Sequence, residues 1–327
     1  MAYLVLNPKN LDADIQAIKN HVEQKGPVIF SEVTNRKVTN NFTDNEHCYF
    51  IDPQHTFSGE GGNLKETESC SAILYCLIYK NKIEKFLKYP KHKNKETLYI
   101  LEKPDMDSVG AVVLSSWFAN LESYDWNVAY NRINDIHNVD CWIQPTEWSP
   151  DWVNNYQVNW TNILGAAISD WKQPIETRVG YMTDFLLDGS LPEFYKESVI
   201  RERELLDQST VETLSGITVV SSAARGVSGA IYKHAPYGIA FTNNFMGKGA
   251  KYTIMEFQGG KYLDLAGFFT HMNTHYPSEY GTFGGNIKAG IGGSYVPCAL
   301  SKETVAAELA KFIITTPVVS YQESNIC

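Results

Sequence analysis

The sequence predicts an α/β protein. A mostly parallel sheet with helices on both faces is followed by a smaller mixed α/β domain, with a cleft between the two. Three observations predict it. Short apolar runs alternate with amphipathic helical patterns over the first two-thirds of the chain, as in a parallel sheet. Residues 98–114, LYILEKPDMDSVGAVVL, read as strand, tight turn and helix. From about residue 216 the pattern changes to several strands with two helices.

The elements follow in order. YLVL is a short strand, and DADIQAIKNHVEQ is a helix ended by Lys25-Gly26. PVIFSEV and CYFI are two further strands, joined by a polar loop rich in Asn and Thr. After a Gly-rich loop, SCSAILYCLIYKNKIEKFL has helical periodicity and starts on small capping residues. The basic connection KYPKHKNKE leads to the strand at 98–101, and two helices follow, VVLSSWFANLESY and VAYNRINDIHNVDCW. Residues 143–160 are irregular, 161–189 helical, and EFYKESVIRERELL is a charged helix. Beyond it come the strands ITVVSSA, GIAFTNN and KYTIMEF, the helix DLAGFFTHMNTHY, a Gly-rich turn, a short strand and the closing helix ETVAAELAKFI. The domains are placed at 1–205 and 216–327, with 206–215 as linker.

Composition narrows the function. The chain has 327 residues, 43% hydrophobic and 20% charged, which is the balance of a globular protein with room for two cores. Its formal net charge of −9 argues against a general grip on long duplex DNA, which needs a basic surface. Six Cys without a CxxC pair give no zinc-knuckle spacing and read as reduced thiols of a cytoplasmic protein. No signal peptide and no membrane-length apolar stretch are read from the sequence.

Two stretches carry chemistry. In the first, Asp105 and Asp107 share one short turn at the carboxyl end of a strand, where open α/β sheets place ligands. Paired carboxylates there suit a hard cation such as Mn²⁺ or Mg²⁺. The plainer reading is one Asp capping the helix and the other exposed on a loop. In the second, GTFGGNIKAGIGGSYVP, six Gly surround Asn286 and Lys288. Such a segment either forms a phosphate-binding nest of amides or a hairpin whose geometry needs Gly. Under the nest reading, Gly285→Val weakens binding more than Lys288→Ala does. In SSAARGVSG, Arg225 either helps hold a phosphate or sits on the surface of a tight turn. His137 lies three residues from Asp140 on one helical face, a spacing open to either a structural or a metal role.

Together the two stretches resemble the DHH phosphoesterase superfamily, whose members carry a His-x-x-Pro-Asp-x-Asp-Ser type motif at a strand end. They pair it with a DHH-associated C-terminal domain bearing Gly-Gly-His-x-x-Ala-Ala-Gly. LEKPDMDSVGA matches the first motif from Pro104 through Ala111, with Glu102 near the usual His. The segment from KYLDLAG to GIGGS resembles the second, with Asp264-Leu265-Ala266 before it and Asn286 at the usual His. The resemblance covers about 98–142 and 215–300. There is no Asp-His-His. The nearest match is IDPQHTFSG, with Asp52 and His55, and it precedes the paired-Asp motif, the reverse of the usual order.

The resemblance implies a divalent-metal-dependent phosphodiesterase acting on a short oligonucleotide, a cyclic dinucleotide or a related nucleotide. It implies two Mn²⁺ or Mg²⁺ ions held by Asp105, Asp107, Asp52, His55, Asp140 and Glu102. Asp105, Asp107 and His55 carry catalysis, and His55 and Asp52 are expected beside Asp105. Gly284, Gly285, Asn286, Lys288 and Arg225 are the implied substrate contacts. The missing Asp-His-His keeps open a catalytically inactive nucleotide-binding or interaction protein. A homodimer is compatible with either.

Overall fold

A computed structural model describes residues 1–51, 71–92, 94–120, 126–140, 147–150, 159–223, 227–247, 249–257, 259–276, 280–287, 290–295 and 298–314. The chain divides into two compact units, Met1–Ile143 with Asn159–Glu197, and Gln144–Val158 with Ser198–Cys327. The division therefore falls earlier than the expected linker. Residues 210–214 of that linker are a strand.

The first unit holds four parallel strands, β1 (Ala2–Val5), β2 (Val28–Ser31), β3 (Cys48–Ile51) and β4 (Leu98–Leu101), in the order β1-β4-β2-β3. β2 and β4 are central and every residue in both is buried, which explains their mostly apolar sequences, VIFS and LYIL. Side chains alternate between two cores. Val28, Phe30, Phe50, Leu98 and Ile100 join Ile15 and Ile18 of α1 (Leu11–Glu23) and Val38 and Phe42 of α2 (Arg36–Phe42). Ile29, Ile51, Tyr99 and Leu101 join the other core, with α3 (Ala72–Ile78), α4 (Lys80–Leu87), α5 (Met106–Asn120), α6 (Trp126–Asp140) and the pair α7 (Asn159–Ile168) and α8 (Ile175–Asp188). The sheet is thus covered on both faces, as expected.

α2 replaces the expected polar loop. RKVTNNF is a weak helix former, but Asn35 caps it by accepting from Lys37 N, and Val38 and Phe42 fall four apart on the buried side. The long helix expected over 69–87 is two helices that break at Tyr79.

This topology creates a crevice. β2 and β4 are neighbours, yet the helix after β2 packs in one core and the helix after β4 in the other. Adjacent strands whose connections leave on opposite faces open a gap at their carboxyl ends. Ser31 Oγ donates to Ser108 O at 2.9 Å across it. α5 is the central helix: every residue from Asp107 to Phe118 is buried. It approaches α3 so closely that a Cβ on Gly110 would lie 2.4 Å from Ile73 Cδ1.

The second unit includes α9 (Glu193–Asp207) from Ser198 onward and a six-stranded mixed sheet. Its strands are β5 (Thr210–Leu214), β6 (Ile217–Ser221), β7 (Tyr237–Thr242), β8 (Lys251–Glu256), β9 (Phe283–Asn286) and β10 (Ile291–Ser294), in the order β5-β6-β7-β8-β10-β9. Only β6 and β7 pair in parallel; the short helix α10 (Val227–Ala230) lies in their connection. α11 (Leu265–His275) and α12 (Lys302–Ala310) contribute to its core through Phe268, Met272, Val305 and Leu309. Among the described residues, no helix is long and apolar enough to cross a membrane.

Candidate metal centre

Three carboxylates converge in the β2–β4 crevice. Glu32 follows β2 directly, and Asp105 and Asp107 follow β4. Each offers an oxygen within 4.8 Å of the other two. Glu32 has a left-handed backbone, φ +52°, which is costly for a residue with a Cβ and recurs where function over-determines the chain. Its amide donates to Ile51 O at 3.0 Å, so its position is tied to the end of β3.

The two aspartates do different things. Asp105 is exposed and caps α5: its Oδ1 accepts from Ser108 N at 3.2 Å and from Ser108 Oγ at 2.5 Å, while its own amide donates to Ser108 Oγ at 3.1 Å. This is a reciprocal cap, and it satisfies donors that a helix start leaves open. The capping half of the plain reading is therefore present. Its other half fails, because Asp107 is not exposed on a loop but is 1% exposed in the first turn of α5. Its Oδ2 accepts from Ala72 N at 2.9 Å. Its Oδ1 is buried and has no hydrogen-bond donor among the described residues.

Electrostatics sharpen the point. Burial pushes the Asp107 carboxyl well above the usual carboxylate range, and Glu32, Asp105 and Asp140 push it further. Asp140, the last residue of α6, is thus near enough to act on Asp107. A buried carboxylate facing other carboxylates has no natural partner except a proton or a cation. The orphaned Oδ1 and an all-oxygen donor set fit a hard divalent ion.

Glu102 has another task. Its Oε2 accepts from Thr34 N at 2.7 Å, Thr34 Oγ1 at 3.0 Å and Asn35 N at 3.0 Å, which clamps the start of α2 to the end of β4. It stands outside the three-carboxylate group. We predict that Glu102→Ala lowers stability by roughly 1–2 kcal/mol through these lost hydrogen bonds. Bound Mn²⁺ should be unchanged, as urea unfolding and elemental analysis would show. A ligand role would instead strip the metal.

Asp52, His55, Arg225 and Lys288 lie outside the described residues. Gly284, Gly285 and Asn286 form β9, and Gly285 pairs with Gly292 of β10. Consecutive amides of a paired strand point in opposite directions, so these three do not gather their N–H groups on one point. The glycines serve close packing here. A Cβ on Gly285 would lie 2.2 Å from Gly292 Cα, and one on Gly292 2.2 Å from Phe269 Cζ. Gly285→Val therefore breaks the hairpin before it can report on binding.

Glu32 is the residue that sequence reasoning passed over. PVIFSEV reads as one strand, and a single charge at a strand end is commonplace. Its signal was position: an acid two residues past the apolar run Val28–Phe30, at the carboxyl end of what proves to be a central strand.

No family model matches the chain, and no curated protein matches it. Among solved structures, the chain is similar to the pGpG-specific phosphodiesterase PggH from Vibrio cholerae. The TM-score is 0.35 at 11% identity, over 62% of this chain and 70% of that one.

Proposed function

We propose that the chain is a divalent-metal-dependent phosphoesterase that hydrolyses a phosphodiester in a short oligonucleotide, cyclic dinucleotide or related nucleotide. The observation that carries this reading is the buried, donorless Asp107 Oδ1 among Glu32, Asp105 and Asp140. The paired-Asp motif and its resemblance to DHH phosphoesterases support the substrate class.

Glu32, Asp105 and Asp107 would hold the cation, with Asp140 beside them, and Asp52 and His55 are proposed as further ligands. A divalent cation in such a site supplies Lewis acidity toward a phosphoryl oxygen and a water acidified for attack. The chain's own part is preorganisation. Ala72 N fixes one oxygen of Asp107, Ser108 fixes Asp105, and the left-handed turn fixes Glu32. These groups are set before substrate arrives, so little reorganisation opposes the reaction. Asn286, Lys288 and Arg225, with Gly284 and Gly285, are proposed to contact the substrate phosphate. Cytoplasmic location and Mn²⁺ as the working ion belong to the same proposal.

One observation favours a second reading, a nucleotide binder without turnover. Among the described residues, the three-carboxylate group contains no imidazole. The test is incubation of short oligonucleotides and cyclic dinucleotides with the protein and Mn²⁺, resolved by chromatography. Hydrolysis that disappears with chelator and in Asp105→Asn supports the enzyme. Calorimetric binding of the same ligands without hydrolysis supports the binder.

A further inference from the structure

We propose that His137 is a positioning residue for the carboxylate cluster, acting through Ser71 and the first turn of α3. The inference rests on the metal reading of that cluster, but the hydrogen bonds it invokes involve protein groups alone.

Two consecutive amides at the start of α3 donate to two different side chains. Ser71 N donates to His137 Nδ1 at 3.3 Å, and Ala72 N donates to Asp107 Oδ2 at 2.9 Å. An amide only donates, so Nδ1 is the accepting nitrogen and the ring proton sits on Nε2. Ser71 Oγ is 3.1 Å from the same nitrogen and accepts from Leu74 N at 3.4 Å. Ser71 is 1% exposed and His137 7%. Removing the imidazole would take an acceptor away from a buried amide and a buried hydroxyl, at the residue next to the one that holds Asp107. The first turn of α3 would then settle elsewhere, and Ala72 N would move with it. Asp107 would lose the bond that commits Oδ2 and leaves Oδ1 for the cluster. The same helix carries Asp140 three residues on, so α6 supports the cluster twice.

The arrangement separates two isosteres. Asn carries its carbonyl oxygen at the Nδ1 position and keeps the acceptor. Gln carries its polar end at the Nε2 position and loses it. The experiment uses the full chain, with calorimetric titration of Mn²⁺ and amide hydrogen exchange over residues 71–76 without metal. We expect His137→Gln and His137→Ala to weaken Mn²⁺ binding about 10–100-fold, as loss of a supporting partner does, with His137→Asn within about threefold of wild type. Exchange at Ser71 and Ala72 should rise in the Gln and Ala variants and stay near wild type in Asn. Should His137→Ala fail to fold, the Asn and Gln pair still decides. Equal behaviour of Asn and Gln in both measurements would overturn the proposal. If wild type takes up no Mn²⁺, the metal reading falls, and the exchange comparison alone decides whether His137 positions α3.

Discussion

Asp107→Asn is expected to leave the protein unable to take up a divalent cation and, in the absence of metal, more stable than wild type at neutral pH. The two effects have one cause. Asp107 is buried with one oxygen bound to Ala72 N and the other facing carboxylates. An Asn there keeps an acceptor for Ala72 and turns an amide NH₂ toward Asp105 and Glu32, where it donates and has no lone pair to offer a cation. The sign with pH follows from the raised folded-state pKa of Asp107. Its contribution to stability is fully present below the unfolded value, about 3.9, where the carboxyl is neutral in both states. It is lost as pH rises through the folded value, because the native state must then ionise a buried group. Metal-free wild type should therefore lose stability relative to Asp107→Asn as pH climbs from about 4, and the gap should level off above the folded-state pKa. Saturating Mn²⁺ should invert the order at neutral pH. Thermal unfolding of both proteins across pH, with and without Mn²⁺, measures each part. Parallel curves would mean that Asp107 has a partner which makes its burial innocuous.

Gly290→Val is expected to be strongly damaging to the second unit. Gly290 has φ +66°, and a Cβ there would lie 2.5 Å from Glu256 O and 2.9 Å from Glu256 Cγ. A β-branched residue is strained in that conformation, and the clash falls on backbone, which cannot swing aside. Glu256 is itself a keystone. It is fully buried, its amide donates to Gly290 O at 2.8 Å, and its carboxylate accepts from Gly260 N at 2.7 Å, Tyr262 N at 2.9 Å and Leu263 N at 3.0 Å. Displacing it releases the loop that leads into α11. We expect a loss of roughly 3 kcal/mol or more. For a domain of this order that is a fall of ~6–12 °C in Tm. Gly284→Ala is the contrast, since its Cβ would meet Tyr295 Oη at an ordinary 3.5 Å. It should fold normally, which makes it the variant for testing whether the hairpin contacts phosphate. Equal Tm values for the two variants would contradict the packing role given to Gly290.

Some of this was legible in the sequence, for physical reasons. The strands Cys48–Ile51 and Leu98–Leu101 stand where their apolar runs predict them, and the fully buried Leu98–Leu101 has no polar face to blur its ends. α2 was not legible, since tertiary burial of Val38 and Phe42 overrides a poor local propensity. β5 reads as linker in the sequence because TVETL is an edge strand with exposed Thr210, Val211 and Thr213, lacking the apolar signal. The paired-Asp turn was legible as a turn, but the division of labour within it was not. One clue existed: Gly110, Ala111 and Leu114 fall three, four and seven residues after Asp107, on its face of α5, and all are buried. Glu32 joins the cluster only because β2 lies beside β4, and no local pattern announces that adjacency.

The most direct test is a crystal structure of the protein soaked in Mn²⁺, with anomalous data collected to place the ion. An anomalous peak is expected in the β2–β4 crevice, with oxygens of Glu32, Asp105 and Asp107 coordinating it and Asp107 supplying Oδ1. Loss of the peak in Asp107→Asn would accompany it. A wild-type crystal at saturating Mn²⁺ with no peak there, or with Asp107 Oδ1 still facing only carboxylates, would contradict the account.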